Sequence, residues 1–211
     1  TFIYFSVRSR FERYLFPDGV NRLLCVMREK YSMSASGVEV EAGDIVVDIG
    51  ANIGEFALAI ADVAQHVYVL EPDPNVLPAL RKNLGHKSNV TVLPFGVSGD
   101  SGILEFYVAT TGADSSFYQP LKFTRTVQIK AYMLDELKTL FAISNIGFLK
   151  VEAEGWEPEV LVGSKHSLMT CRCVSVDAGP ERGLSSTDSK VIQLLTEAGL
   201  LVHQKNYIVT G

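Results

Sequence analysis

What this sequence lacks excludes several classes of protein. Three cysteines among 211 residues, Cys25, Cys171 and Cys173, are too few and too unevenly placed for a disulfide framework, so we expect reduced thiols and a cytoplasmic location. No apolar run reaches the roughly eighteen residues that a membrane span needs. Lysine and arginine total 19 against 24 aspartates and glutamates, and the net charge of −5 argues against a nucleic-acid partner.

Histidine is also scarce. The four histidines are scattered along the chain, and none has metal-ligand spacing with another, so they predict no metal site. We interpret them as surface or core residues, with His86 and His166 as weak candidates for a catalytic base.

The residues that are present have the composition of a globular domain with a sizeable core, since 47% are apolar and 20% are charged. We predict that residues 1–43 form an N-terminal extension of helix and loop and that residues 44–211 form the main domain. Residues 20–31 predict a helix in that extension. Residues 1–16, which mix aromatic side chains with arginines, predict an amphipathic surface helix or, alternatively, a membrane-surface or homodimer contact.

The stretch from Ile45 to Phe56 organises the rest of the chain. Its first residues are apolar and β-branched, as expected for a strand that is covered on both faces. Gly50 and Gly54 then mark a turn, and residues of helical composition follow. A glycine turn between a parallel strand and a helix lets the backbone approach a ligand closely and directs helix N–H groups toward it.

The spacing in this turn differs from that of a dinucleotide-binding turn. The dinucleotide fingerprint is G-x-G-x-x-G, whereas this chain has Asp48-x-Gly50-x-x-x-Gly54, with Asn52 at the middle glycine. The acid at the strand end would repel a pyrophosphate. About twenty residues further on, a second strand ends in Glu71, where an acid accepts hydrogen bonds from ribose hydroxyls. A nucleoside without phosphate, joined to an amino acid, describes S-adenosylmethionine, which we expect to be the cofactor.

A later strand ends in a group of ionisable side chains. Strand alternation places Lys150, Glu152 and Glu154 on one face, opposite to Val151 and Ala153. Three ionisable groups at the end of a central strand cost free energy unless they are paired or hydrated. They therefore predict a reaction site, with a structural ion pair as the alternative.

Two motifs resemble those of known methyltransferases. The turn from Asp48 to Gly54, together with Glu71 and Pro72, resembles the cofactor motif of Rossmann-like methyltransferases. Residues 148–157, Phe-Leu-Lys-Val-Glu-Ala-Glu-Gly-Trp-Glu, resemble the K-x-D-x-E-G-x-E signature of the FkbM methyltransferase family. The likeness covers roughly residues 40–180. The chain departs from the family at Glu152, where an aspartate is usual, and at Pro94, where a polar residue is common.

The resemblance implies an α/β fold of the Rossmann-like class I methyltransferase type. This fold has a mostly parallel seven-stranded sheet, a C-terminal antiparallel hairpin and helices on both faces. The apolar segment 173–177 predicts one of the strands, and residues 200–203 and 207–210 predict the final hairpin. Two alternating segments, 102–108 and 126–131, predict a further hairpin inserted into the domain.

The resemblance also implies which residues form the site. The residues that would hold the cofactor follow the first three strands: Asp48, Gly50, Ala51, Asn52, Gly54, Glu71, Pro72, Asp73, Phe95, Gly96 and Val97. The residues that would act on the acceptor hydroxyl follow later strands: Lys150, Glu152, Glu154 and Asp177. Phe95 or Val97 would cover the adenine ring, with a core role as the alternative. Ser115 or Ser116 matches a serine in the family's substrate loop, with plain loop chemistry as the alternative.

We therefore expect an S-adenosylmethionine-dependent O-methyltransferase that acts on a hydroxyl of a small molecule or glycan. A carboxylate would position or deprotonate that hydroxyl. The first alternative is an NAD(P)-dependent oxidoreductase on a similar fold, against which the missing middle glycine and the acidic strand end argue. The second is a non-catalytic module that keeps the fold. A divalent cation held by Glu152, Glu154 and Asp177 is left open.

Two aspartates are predicted to cap helices. Asp73 precedes Pro74, a residue favoured in a first helical turn, which predicts a helix from about Pro74 to Leu84. Asp135 predicts a cap for its own helix, which would end at about Leu140, or alternatively a contact with the site.

Overall fold

The computed structural model describes residues 19–110, 114–182 and 185–211. The strands, in chain order, are β1 (Ile45–Ile49), β2 (His66–Leu70), β3 (Val90–Leu93), β4 (Gly96–Val97), β5 (Gly102–Val108), β6 (Arg125–Tyr132), β7 (Phe148–Val151), β8 (Cys173–Asp177), β9 (His203–Lys205) and β10 (Ile208–Thr210). The helices are α1 (Gly19–Lys30), α2 (Glu55–Ile60), α3 (Leu77–Leu84), α4 (Leu134–Leu140), α5 (Glu157–Val162), α6 (Lys165–Thr170) and α7 (Asp188–Glu197).

The main sheet has seven strands in the order β3-β2-β1-β7-β8-β10-β9. The first five pair in parallel, while β10 runs antiparallel to β8 and β9 runs antiparallel to β10. The C-terminal hairpin therefore inserts its last strand between β8 and β9. This order confirms the predicted fold class and places the carboxyl ends of β1, β2 and β7 side by side at one edge of the sheet.

Helices cover both faces of this sheet because alternate strand residues point in opposite directions. On one face, Val46 of β1 packs in a core with residues of α2 and α3. On the other face, its neighbour Val47 packs in a core with residues of α4, α5, α6 and α7. Strands that are buried on both sides read as continuous apolar runs. Apart from the buried Asp48 and Lys150, β1 and β7 have this pattern.

A smaller sheet flanks the main one, with the strand order β4-β6-β5. Strands β5 and β6 form the predicted antiparallel hairpin, with Gly102 opposite Ala131 and Val108 opposite Arg125. The chain between them returns at Ser116, whose backbone exchanges hydrogen bonds of 2.8 and 3.1 Å with Tyr107. The inserted hairpin thereby holds the loop that contains Ser115 and Ser116 next to the main sheet.

The two predicted helix caps are wrong in their details. The Asp73 carboxylate accepts the Asn75 N–H at 2.8 Å in a turn, and the helix begins only at Leu77. The Asp135 carboxylate does not cap its own helix; it accepts the N–H groups of His166 at 2.9 Å and Ser167 at 2.8 Å in the first turn of α6. Asp135 therefore caps the neighbouring helix α6, and it does not contact the site.

The N-terminal part of the described chain confirms a helix close to the predicted residues 20–31. Helix α1 packs against α2, and Tyr31, which follows it, is fully buried with its ring 5.2 Å from that of Phe56. The prediction for residues 1–16 lies outside the described residues. The division at residues 43 and 44 stays a prediction. No described helix combines the length and apolar character that crossing a membrane requires.

Candidate active site

A single cavity lies at the carboxyl ends of β1, β2 and β7 and contains most of the predicted site residues. Its empty space is about 980 Å³ when the open solvent at its mouth is included. The predicted residues that line it are Gly50, Ala51, Asn52, Glu71, Pro72, Asp73, Phe95, Gly96, Val97, Ser115, Lys150, Glu152 and Glu154. Asp48, Gly54, Ser116 and Asp177 are not among its lining residues.

The glycine turn after β1 forms part of the floor. Gly50 has a φ of +69°, and the N–H groups of Gly50 and Ala51 both donate to the Leu70 carbonyl, at 3.0 and 3.2 Å. A Cβ on Gly50 would lie 1.7 Å from the Glu152 carbonyl oxygen, so a side chain is excluded there. Gly54, at φ +89°, instead lets α2 approach α3, since its Cβ would lie 2.9 Å from Leu80.

Glu71 holds its carboxylate in a fixed position beside this turn. One oxygen accepts the Asn52 N–H and the other accepts the Asp73 N–H, both at 2.8 Å. The residue is 6% exposed, and burial raises its pKa to about 7 despite the two backbone hydrogen bonds, which lower it. Each oxygen keeps a second lone pair for a ligand hydroxyl.

Lys150, which lines the cavity, forms an ion pair with Asp48, which does not line it. The Lys150 ammonium lies 3.0 Å from Asp48 Oδ1 and donates to the Gly50 carbonyl at 2.8 Å. Burial alone would lower the pKa of Lys150, but the charges of Asp48 and Glu152 hold it above its ordinary value. Asp48 is fully buried, and burial raises its pKa. The structure therefore places Asp48 behind the turn, where it positions Lys150 and does not line the cavity.

Glu152 belongs to a charged cluster that the sequence only partly predicted. Its carboxylate lies 3.3 Å from the Lys150 ammonium and 2.8 Å from that of Lys30, which also lies 2.7 Å from Asp177. The Tyr31 hydroxyl donates to Glu152 at 2.6 Å. Burial would raise the pKa of Glu152, yet the two lysines lower it, whereas burial dominates at Asp177 and raises its pKa.

Glu154 has a different environment from Glu152. Strand β7 ends at Val151 and Glu154 has a φ of +50°, so the strand alternation does not extend to it. It lines both the main cavity and an adjoining hollow with Asp114, Tyr118, Pro120 and Glu181. Burial and the surrounding carboxylates raise its pKa to about 9, so Glu154 is protonated at neutral pH.

The turn that carries Glu154 is held by Glu157, which is fully buried. One Glu157 oxygen accepts the N–H groups of Ala153 at 2.9 Å and Gly155 at 3.0 Å, and the other accepts the Thr187 hydroxyl at 3.1 Å. Glu157 is the last residue of the signature in residues 148–157 and the first residue of α5. Its contacts give it the additional task of fixing the backbone between β7 and α5.

The walls of the cavity are partly aromatic. Phe95 packs edge-on against Tyr132, with ring centres 5.1 Å apart, and Phe117 lies 5.9 Å from Trp156. Val97 lines the cavity too, but it is 3% exposed and belongs to the core beneath. Of these residues, the aromatic ones that line the cavity, Phe95, Phe117 and Trp156, offer flat apolar surfaces of the kind that contact a purine ring.

The two candidate substrate serines have different positions. Ser115 lines the cavity, and its Oγ accepts the Ala109 N–H at 3.0 Å. Ser116 is buried, where its hydroxyl donates to the Ala153 carbonyl at 3.1 Å and accepts the Tyr118 N–H at 3.0 Å. Ser116 thus ties the loop to the turn after β7, and only Ser115 is positioned to contact a ligand in the cavity.

Three ionisable residues that line the cavity or hydrogen-bond to Glu152 were missed by the sequence analysis: Lys30, Tyr31 and Glu55. Lys30 and Tyr31 lie 122 and 121 residues before Glu152, and no motif surrounds them, so only the tertiary structure brings them together. Within the described residues, no group of three or more histidine, cysteine or acidic side chains is arranged to hold a metal ion. His166 contacts the Asp135 carboxylate, and neither residue lines the cavity.

Comparison with known proteins gives consistent relatives. Hexuronic acid methyltransferase AglP of Haloferax volcanii is 31% identical over 164 residues, which are 77% of this chain and 65% of AglP. The 2-O-methyltransferase NoeI of Sinorhizobium fredii is 23% identical over 149 residues, which are 62% of this chain and 61% of NoeI. The chain therefore spans somewhat less than two thirds of each of these relatives.

Solved structures support the same fold at low sequence identity. The methyltransferase FkbM of Methylobacillus flagellatus superposes with a TM-score of 0.60 at 14% identity, over 96% of this chain and 56% of that protein. Aeropyrum pernix fibrillarin, solved with natively bound S-adenosyl-L-methionine, superposes with a TM-score of 0.52 at 11% identity, over 88% of this chain and 72% of that one. The family described as the methyltransferase FkbM domain matches residues 48–201, which contain both motifs and most of the cavity. The chain belongs to the FkbM methyltransferase family.

Proposed function

We propose that this protein transfers a methyl group from S-adenosylmethionine to a hydroxyl oxygen of a sugar. The observation that carries the proposal is the charge of the cavity. Carboxylates line it, and its two lysines, Lys30 and Lys150, are each ion-paired with one of them, Glu152. A pyrophosphate would be repelled there, whereas a sulfonium with an ammonium-bearing tail is attracted, which favours this cofactor over NAD.

The residues at the strand ends fit the cofactor part by part. Glu71, held by two backbone amides, has lone pairs available for the ribose hydroxyls. The ring of Phe95 supplies an apolar surface for the adenine. The turn at Gly50 has no side chain and leaves backbone at the cavity floor for the amino-acid tail.

When bound, S-adenosylmethionine supplies a methyl group on a sulfonium sulfur, which keeps the C–S bonding electrons as the methyl passes to the acceptor oxygen. The chain's part is to hold that oxygen in line and to take its proton. We assign the proton to the carboxylates of Glu152 and Asp177, which Lys30 joins. Glu152 lines the cavity and would accept the hydrogen bond. Asp177, with its raised pKa, is the better resting place for the proton.

Glu154 has a separate role in this scheme. At neutral pH its carboxyl is protonated, so it acts as a hydrogen-bond donor to the acceptor and does not act as the base. The adjoining hollow, with Tyr118 and further carboxyl groups, extends the site on this side. Such groups suit a ligand with several hydroxyls. The name of the relative AglP, a hexuronic acid methyltransferase, supports a sugar as the acceptor class, and that of NoeI, a 2-O-methyltransferase, supports transfer to an oxygen.

The proposal is tested in two steps. Calorimetry with S-adenosylmethionine, S-adenosylhomocysteine and NAD should give binding heat for the first two and none for NAD. Incubation with S-adenosylmethionine and a panel of methyl glycosides, including methyl glucoside and methyl glucuronide, should then give a singly methylated sugar by mass spectrometry. Heat with NAD alone, or a cofactor complex that methylates no sugar of the panel, would contradict the proposal.

Three further expectations accompany this function as predictions. They are a cytoplasmic location, a possible homodimer and the absence of a nucleic-acid partner. The division into an extension of residues 1–43 and a domain of residues 44–211 belongs with them. Light scattering of the full chain measures the oligomeric state directly.

A further inference from the structure

The last residue of α1 reaches the site from outside the part of the chain that matches the family. The Lys30 ammonium lies 2.8 Å from Glu152 Oε1 and 2.7 Å from Asp177 Oδ2. Glu152 directly follows β7, and Asp177 is the last residue of β8. The family match begins at residue 48. The contact therefore comes from a segment that the family signature does not describe.

This contact differs from an ordinary surface ion pair. The side chains of Lys30, Glu152 and Asp177 are 31%, 26% and 19% exposed, so all three are largely withdrawn from water. Ion pairs that are mostly exposed contribute little to stability. A cation between two partly buried carboxylates, in contrast, offsets the repulsion between their charges.

Tyr31 fixes the position of this cation. It is fully buried against Phe56, its hydroxyl donates to Glu152 Oε2, and the Lys30 ammonium lies 4.7 Å from its ring centre. A lysine on a free helix end would sample many rotamers. This one is held between two carboxylates and an aromatic face, at the wall of the cavity.

The geometry leaves the ammonium able to contact a ligand. An ammonium has three N–H donors, and Glu152 and Asp177 account for two of them. Lys30 lines the cavity on the same side as Glu152, so the third donor is available to an oxygen beside that carboxylate. Two carboxylates that converge on one cation also describe how a hard divalent ion is bound. In this chain the cation is a side chain.

We propose that Lys30 is the built-in cation of the acceptor site. It binds the acceptor hydroxyl oxygen and stabilises the negative charge that develops there as the hydroxyl proton moves through Glu152 to Asp177. It does so in place of a divalent metal ion, so methyl transfer by this chain is independent of added metal. The inference rests on the proposed function and deepens it.

The first test compares Lys30→Met with Arg28→Met, a matched change at an exposed position on the same helix. Lys30→Met should lower kcat on the methylated panel sugar by about 100-fold, the loss typical of one donor to a developing oxyanion. Its affinity for S-adenosylmethionine should stay close to that of the wild type. Its rate profile should shift to higher pH, because the two carboxylates lose the charge that lowers their pKa values. Arg28→Met should match the wild type in all three measurements.

The second test restores the cation from solution. Ethylammonium should raise the rate of Lys30→Ala in a saturable way and leave Arg28→Ala unchanged. A purely structural lysine would lower the melting temperature without a pH shift or rescue, and that pattern would overturn the proposal. Full turnover by Lys30→Met would do the same.

Two further measurements concern metal ions: the first needs no variant, and the second needs no acceptor. Wild-type turnover should be unaffected by EDTA. A loss of turnover in EDTA that added Mg²⁺ reverses would contradict the proposal that Lys30 takes the place of a metal ion. Calorimetry with Mn²⁺ should give heat with Lys30→Ala and none with the wild type, because only the variant leaves the carboxylate pair open. Equal Mn²⁺ binding heats for the wild type and Lys30→Ala would contradict the proposal that Lys30 occupies the place of a metal ion. If the wild type instead fails to bind S-adenosylmethionine, the proposed function itself is wrong.

Discussion

Lys150 and Asp48 are register partners on adjacent parallel strands, and their charged groups meet 3.0 Å apart beneath the cavity. Both side chains are at most 2% exposed, so neither charge has water as an alternative partner. Lys150 also donates to the Gly50 carbonyl, which links the pair to the turn that forms the cavity floor. The pair therefore supports the site from below.

Replacing Lys150 by methionine should destabilise the protein by about 3–5 kcal/mol at pH 8, because the buried Asp48 carboxylate loses its counter-charge. The loss should be smaller at pH 5, where Asp48 can take up a proton. Urea unfolding at the two pH values measures both effects. The double variant Lys150→Met with Asp48→Asn is the control and should recover part of the loss. A single variant as stable as the wild type would mean that the pair is dispensable.

Gly50→Ala should destabilise the chain by more than about 3 kcal/mol and abolish cofactor binding, because the new Cβ would meet the Glu152 carbonyl oxygen 1.7 Å away. Gly43→Ala is the matched control. Gly43 also has a positive φ, +93°, but a Cβ there meets nothing within 4 Å. That control should cost only the backbone strain of about 1–2 kcal/mol and retain binding. Denaturation and calorimetry on both variants separate the clash from the strain, and equal losses would rule out the clash.

Much of the fold could be predicted from local sequence because the central strands are short apolar runs between glycines and acids. Strand β1 before Gly50 and strand β7 before Glu152 carry that pattern, and the alternation of residues 102–108 predicted the hairpin. Side-chain partners were less predictable. Asp135 sits at a helix start in the sequence, yet it accepts amides of α6, about 30 residues away, because of how the two helices pack.

The site was predicted where it depends on motifs and missed where it depends on packing. Glu71 and the Gly50 turn lie on consecutive strands, so their proximity follows from parallel topology. Lys30 and Tyr31 reach Glu152 only because α1 packs on α2, and nothing in their local sequence marks that contact. Glu154 was predicted to share a face with Lys150, but the end of β7 at Val151 and the left-handed backbone of Glu154 interrupt the alternation.

Glu154→Gln should stabilise the protein at alkaline pH. Burial raises the pKa of Glu154 from 4.5 to about 9 in the folded chain, so the folded state binds a proton that the unfolded state has released. The contribution of the neutral carboxyl is fully present below about pH 4.5 and is lost as the pH rises toward 9. Glutamine has no proton to lose. The melting temperature of the variant should therefore exceed that of the wild type at pH 8 and converge with it at pH 4.

The control for this titration is Glu29→Gln, which makes the same change at an exposed position of α1. It should follow the wild type across the pH range. A Glu154→Gln curve that is parallel to the wild type would mean that Glu154 ionises normally. In turnover, the variant should keep a substantial part of kcat, because an amide can donate the hydrogen bond that we assign to the protonated carboxyl.

Glu157→Ala should impair both stability and turnover through the turn between β7 and α5. Removing the carboxylate leaves the N–H groups of Ala153 and Gly155 without their acceptor in a buried position, at a cost of on the order of 3 kcal/mol. The turn carries Glu154 and follows Glu152, so a looser backbone should raise KM for the acceptor and lower kcat together. Urea unfolding and steady-state kinetics on the methylated sugar measure the two effects.

Glu157→Gln provides the discriminating comparison. Its amide oxygen can still accept both N–H groups, and its amide nitrogen can donate to the Thr187 hydroxyl, so the network survives without charge. This variant should keep nearly wild-type stability and kinetics. If Glu157→Gln proved as damaging as Glu157→Ala, the negative charge would be what matters, and Glu157 would act on the bound ligand and not on the backbone of the turn.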